Sequence, residues 1–272
     1  MPMACWKNLL IFVWMFAVSG AIQTAYGQAP QSTSTSANHL LLVVGAAGEE
    51  NYGSEFQQWA ERWLELAKRQ DWQTTTIGVA GHDETDADNA LAQLRQAIEA
   101  HQQPPERLWL VMLGHGTVAR NTAKFNLVGP DVSAGELKQW LATVSAPVIV
   151  VNCSSSSAPF LTELAGKNRI LLTATRSGNE MNYARFGKYL SLAISDLASD
   201  IDHDQEVSLL QAFLAASANT ERFYQEESRL ATEHALLDDN GDRTGTSADF
   251  YRGLQPNKKV AEDKAIDGQS AR

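Results

Sequence analysis

Two kinds of hydrophobic pattern alternate along the chain. Short continuous apolar runs occur at residues 39–45 (HLLLVVG), 108–113 (LWLVML), 147–151 (PVIVV) and 169–175 (RILLTAT), with a β-branched run at 73–79 (QTTTIGV). Runs of this length without alternation predict strands covered on both faces. Between them apolar residues recur at helical spacing. Phe56, Trp59, Ala60, Trp63, Leu64 and Ala67 make one face after a cap at Ser54, and Leu91, Leu94 and Ile98 make a second. Ser133 and Glu136 form a capping-box signature ahead of Leu137, Trp140, Leu141 and Val144. Further helices are predicted at about 160–164, 186–198 and 208–237, and a short hairpin arm at 124–128. Strands separated by single helices predict right-handed crossovers and a mostly parallel sheet with helices on both faces, a three-layer α/β/α domain.

The ends of the pattern differ from its middle. Residues 1–27 read as a signal peptide: Lys7, an apolar stretch from Leu9 to Val18, then Ala25-Tyr26-Gly27 before a cut. The apolar stretch is shorter than the ~20 residues a membrane span needs, so no stable span is expected after cleavage. The expected location is exported, periplasmic or extracellular. Residues 28–37 (QAPQSTSTSA) read as a flexible linker, 38–254 as the domain and 255–272 as a disordered polar tail.

Composition narrows the function classes. The formal net charge is −10 and no basic stripe appears, which argues against nucleic acid as a partner. The two cysteines are Cys5, which leaves with the leader, and Cys153. A lone cysteine in an exported chain is either a reactive thiol or a small buried hydrophobe. The loop from Gly45 to Gly53 has neither a dinucleotide nor a P-loop glycine pattern, so a nucleotide-binding reading is weak.

Candidate chemistry sits where two apolar runs stop. One breaks at Gly114-His115-Gly116 and the other at Asn152-Cys153, followed by four serines. If the two strands are parallel neighbours, imidazole and thiol lie outside the carboxyl ends of the strands, where open α/β sheets place ligands. A thiol beside an imidazole can become a thiolate nucleophile. The N–H groups of Gly116 and Cys153 are candidates for an oxyanion site.

These residues resemble the caspase–legumain clan of cysteine peptidases, and most closely bacterial relatives of the legumain family. The resemblance spans roughly residues 40–253. It rests on Asn51-Tyr52, Gly114-His115-Gly116, Cys153 and the stretch from Ala174 to Glu180 (ATRSGNE). It implies a caspase-like fold and a peptide or protein substrate. It also implies a Cys-His dyad in which Cys153 attacks the carbonyl and His115 serves the leaving amine, with no required cofactor. Asn51, Tyr52, Arg176, Ser177 and Glu180 are the implied substrate-binding positions, with Arg185 a further source of specificity charge. Ser154 replaces the family's acidic residue after the cysteine, and Gly53 replaces the arginine after Asn-Tyr, so asparagine specificity is not implied. The alternative is a catalytically inactive domain of this fold serving as a binding or envelope scaffold.

A second constellation, Asp200, Asp202, Asp204, Glu206 and Ser208, follows the ligand spacing of an EF-hand loop. Gln205 stands where that loop has glycine, and Gln211 where it has its bidentate glutamate. Weakened Ca2+ binding is the expectation. The turn at 238–242 (DDNGD) is a third acidic candidate.

Overall fold

The structure is a computed structural model that describes residues 38–81, 89–100, 106–257 and 265–272. The leader and the 28–37 linker lie outside the described residues, as does the acidic stretch 82–88. In chain order the elements are β1 (Asn38–Val44), α1 (Glu50–Arg69), β2 (Gln73–Ile77), α2 (Ala90–Glu99) and β3 (Arg107–Leu113). A small antiparallel sheet follows, β4 (Gly116–Ala119), β5 (Thr122–Phe125) and β6 (Val132–Ser133). Then come α3 (Ala134–Leu141), β7 (Val148–Asn152), α4 (Ala158–Leu164), β8 (Arg169–Thr173), α5 (Phe186–Ala193), α6 (Leu209–Glu226) and β9 (Leu236–Asp238). Two short strands, β10 (Tyr251–Arg252) and β11 (Gln255–Pro256), pair with each other.

The main sheet has the order β2-β1-β3-β7-β8-β9. Its first five strands are parallel and β9 is antiparallel to β8. Side chains alternate between the two faces with period two. Leu40, Leu42, Val44, Val111, Leu113, Val151 and Cys153 share one core with residues of α1, α5 and α6. Leu41, Val43, Leu110, Met112, Val148 and Val150 share the other with residues of α2, α3 and α4. Both faces are covered, which is why the strands read as unbroken apolar runs. This is the three-layer α/β/α architecture expected from the pattern.

Local signals explain some boundaries and miss others. The capping box ahead of α3 is present: Ser133 Oγ accepts from Glu136 N at 3.2 Å, and Glu136 accepts from Ser133 N at 2.8 Å. The Ser133 hydrogen bonds hold the Glu136 carboxyl below its ordinary pKa. Ser133→Ala is expected to destabilise the domain by about 1 kcal/mol, read from urea denaturation. Helix α1 begins at Glu50, ahead of the expected cap at Ser54; Glu49 is extended and no side chain caps the turn. The helix expected to reach 237 stops at Glu226, and β9 lies beyond it.

The tail also departs from expectation. Segment 265–272 is docked rather than disordered. The Asp239 carboxylate accepts N–H bonds from Gly268, Ser270 and Ala271 at 2.9, 2.6 and 2.8 Å. Asp267 returns the favour, accepting from Asp239 N at 3.0 Å and Thr246 Oγ1 at 2.6 Å. Burial pushes the Asp267 carboxyl up to about 6, against the pull of those hydrogen bonds. A carboxyl raised in the folded state binds protons that the unfolded chain has already lost, so its contribution to stability falls as pH rises from about 4 to 6. The melting temperature of Asp267→Asn relative to wild type should therefore rise over that window. A gap that stays constant from pH 4 to 7 would contradict this account.

Candidate functional site

The parallel pairing of β3 with β7 brings the two strand ends together. Met112 pairs with Asn152, and Cys153 N donates to Met112 O at 2.9 Å, one step further. Leu113 and Cys153 project to the same face of the sheet. His115, two residues beyond Leu113, meets α1 on that face.

His115 is half-buried in an aromatic nest. Its ring lies edge-on to Tyr52 and Phe56, with centroids at 5.3 and 5.2 Å, and tilted against Tyr183 at 6.0 Å. Tyr183 stacks on Tyr52 at 4.4 Å, and its hydroxyl donates to Glu55. Burial and that carboxylate push the Tyr183 phenol well up, so it stays a proton donor. His115 Nε2 lies 3.0 Å from Ala47 O. A carbonyl only accepts, so Nε2 carries a proton in this contact.

Cys153 sits deeper. It is 1% exposed, and no hydrogen bond joins it to His115 among the described residues. A Cβ placed on Gly187 would lie 2.8 Å from Cys153 Cβ and 2.8 Å from the Trp59 ring, so α5 comes close to both Cys153 and α1 at this glycine. Burial pushes the thiol well up, and the Glu233 carboxylate adds to it. Glu233 itself is 4% exposed. It closes the start of α5, accepting from Arg185 N and Phe186 N at 2.7 and 2.9 Å and from Tyr224 OH at 3.0 Å.

Both expected oxyanion donors make hydrogen bonds within the chain. Cys153 N–H extends the β3–β7 ladder. Gly116 N–H donates to Ser155 Oγ at 3.2 Å, and Ser155 Oγ donates back to Gly116 O at 3.0 Å. The four serines after Cys153 are buried and form a polar seam rather than an open loop. Ser154 Oγ donates to Asn152 Oδ1 at 2.6 Å, and Ser157 N donates to Thr175 Oγ1 at 2.7 Å. Most of these short polar groups satisfy one another, while Ser156 Oγ and Asn152 Nδ2 are buried without a partner among the described residues.

Of the expected substrate-binding residues, only Tyr52 touches His115. Asn51 is exposed on the first turn of α1. Ser177 Oγ accepts from Asn179 N within its own loop at 3.2 Å. Glu180 holds Arg176 N at 2.9 Å and His234 Nδ1 at 2.5 Å, with the Arg176 guanidinium 3.4 Å away. Arg185 lies over the Phe223 and Tyr183 rings, at 4.5 and 5.1 Å. Glu180 and the Arg185 side chain are thus engaged with the chain's own groups. Tyr183, Gly187 and Glu233 were missed. Tyr183 alone had a signal, an aromatic residue inside an otherwise polar loop.

At the acidic loop, carboxylate oxygens of Asp200, Asp202 and Asp204 lie within 4.8 Å of one another, a spacing that suits a hard cation. The other two expected ligands are placed differently. Glu206 is exposed, and Ser208 Oγ caps α6 by accepting from Gln211 N at 3.3 Å. Gln211 Nε2 donates to Asp202 Oδ1 at 2.6 Å. The turn at Asp238 repeats the hydrogen bonds of the Asp200 turn. In each, the first Asp accepts from the residues three and five further on, His203 and Gln205 in one, Gly241 and Arg243 in the other.

No helix among the described residues is long and apolar enough to cross a membrane. No protein-family model and no curated protein matches the chain. Solved structures do. The initiator caspase Dronc of Drosophila matches at 14% identity and a TM-score of 0.51, over 78% of this chain and 82% of that one. Protein GSU0716 from Geobacter sulfurreducens matches at 11% identity and 0.47, over 74% and 92%. Raptor from Chaetomium thermophilum matches at 12% and 0.39, over 65% and 18%. The likeness to Dronc is one of fold, and with the sheet order and layers above it establishes a caspase-like α/β/α fold for this chain.

Proposed function

We propose that this domain uses a caspase-like fold for binding, as a scaffold module, and that Cys153 and His115 are not a working dyad in it. One observation carries the reading: Cys153 is 1% exposed, with Gly187 close against its Cβ, and its thiol is raised by burial and a neighbouring carboxylate. A nucleophile needs the thiolate form and access to its substrate. The reading keeps the exported location expected from the leader. It also keeps Ca2+ as a stabiliser at Asp200, Asp202 and Asp204. Millimolar Ca2+ should then raise the melting temperature of wild type and leave Asp204→Asn unchanged. An equal response from both proteins would remove Ca2+ from the reading.

A second reading is a cysteine peptidase acting on peptide or protein substrates. One observation favours it: His115 and Cys153 stand at the ends of adjacent strands on one face of the sheet. In that reading the packed thiol must first be uncovered. Iodoacetamide labelling of Cys153 against pH, in a Cys5→Ser background, separates the two. Binding predicts slow labelling near pH 7, unchanged by His115→Ala. Fast labelling well below ~8.5, the pKa of an unperturbed thiol, that is lost in His115→Ala would overturn the binding reading.

A further inference from the structure

The amino edge of the main sheet holds a cavity that none of the residues discussed around Cys153 and His115 lines. It measures 420 Å3, within the range of about 300–1,000 Å3 usual for small-molecule sites. Trp109 lines it near the start of β3, six residues from His115. At about 3.3 Å per residue, that is about 20 Å from the opposite edge.

Its lining has two characters. The floor is apolar, with Ile149, Ile170 and Ile194. An aromatic wall stands beside it, where Trp72 stacks on Trp109 with centroids 5.1 Å apart and planes at 29°. The rim is cationic. Arg69, Arg107 and Arg272 line it against one acid, Glu206. None of the three arginines forms an ion pair among the described residues. Arg272 donates only to carbonyls, those of Gly268 and Leu254. Two further lining residues hold buried polar atoms without a partner, the indole Nε1 of Trp109, itself 8% exposed, and Ser195 Oγ.

Guanidinium groups donate and never accept. A complementary ligand must therefore offer acceptors and negative charge at one end, and an apolar body for the isoleucine and tryptophan surfaces at the other. We propose that this cavity binds a small amphipathic carboxylate of the alkanoic-acid type, with its head at Arg69 and Arg107 and its chain along Ile149, Ile170 and Trp109. Charge-assisted pairs between guanidinium and carboxylate are the strong class of hydrogen bond. The aliphatic tail adds affinity with each methylene it buries.

Isothermal titration of the full-length chain with decanoate, below its micelle concentration, tests this. Decanol and decylamine serve as neutral and cationic counterparts. Saturable binding of decanoate is expected, weakened about ten-fold in decanol and more in decylamine. The double variant Arg69→Ala/Arg107→Ala changes two exposed side chains, and its melting curve checks that it folds. It should lose about ten-fold in decanoate affinity while binding decanol as wild type does. Absence of saturable binding, equal affinity for decanoate and decanol, or wild-type affinity in the double arginine variant would each overturn the proposal.

Discussion

Glu233→Ala is expected to lower the unfolding free energy by roughly 3–5 kcal/mol, a loss read from urea denaturation. The carboxylate is 4% exposed and accepts from Arg185 N, Phe186 N and Tyr224 OH. Alanine leaves Phe186 N buried without its acceptor and Arg185 N half-buried without one, while Tyr224 OH keeps Thr232 Oγ1 at 3.0 Å, and each unsatisfied buried group costs about 1–3 kcal/mol. It also uncaps α5, whose Gly187 presses on Cys153. Glu233→Gln keeps an acceptor at the same place and should cost only about 1 kcal/mol. It also removes the negative charge that helps raise the thiol, so the pH at which Cys153 labels should move down. Wild-type stability in Glu233→Ala would show that α5 is held by its apolar face alone.

Gly116→Ala should cost about 3 kcal/mol, at the upper end of overpacking penalties. A Cβ there would stand 2.2 Å from Ser155 O and 2.7 Å from Ser154 Oγ. The nearer atom is backbone, so no side-chain rotation relieves the clash. The strand end must move away from the serine seam, breaking the paired bonds between Gly116 and Ser155 and carrying His115 with it. Loss of the His115–Ala47 bond should appear as altered imidazole resonances in NMR spectra. Unchanged imidazole resonances at wild-type stability would mean that the seam is more compliant than its packing implies.

The two strand ends were legible for a simple reason. Buried parallel strands need apolar side chains on both faces, so LWLVML and PVIVV announce themselves, and the residues that stop them are conspicuous. The strand pairing placed His115 and Cys153 at the ends of adjacent strands, as expected of parallel neighbours. What surrounds the thiol was not legible. Trp59 and Gly187 come from helices far apart in the chain, and their spacing marks only an apolar face and an unremarkable glycine. The serine seam misled because serines look solvated unless their partners are known. Here the partners are Asn152 and Thr175. Strand β9 is three residues long, and its first two residues are the end of ATEHALL, which reads as helix. Segment 265–272 is polar in composition. It docks through carboxylate bonds to backbone N–H groups, which composition does not encode.

The clasp between Asp239 and segment 268–271 has a consequence for the order of events during synthesis. Asp239 leaves the ribosome 32 residues ahead of Ala271, the last of its three N–H donors. During that interval β9 emerges with a carboxylate that has none of these donors, and the antiparallel edge of the sheet is the last part of the domain to close. A nascent chain arrested between residues 239 and 271 should therefore present a folded parallel core with an open β8 edge, a window in which a chaperone or a second nascent chain has a strand to pair with.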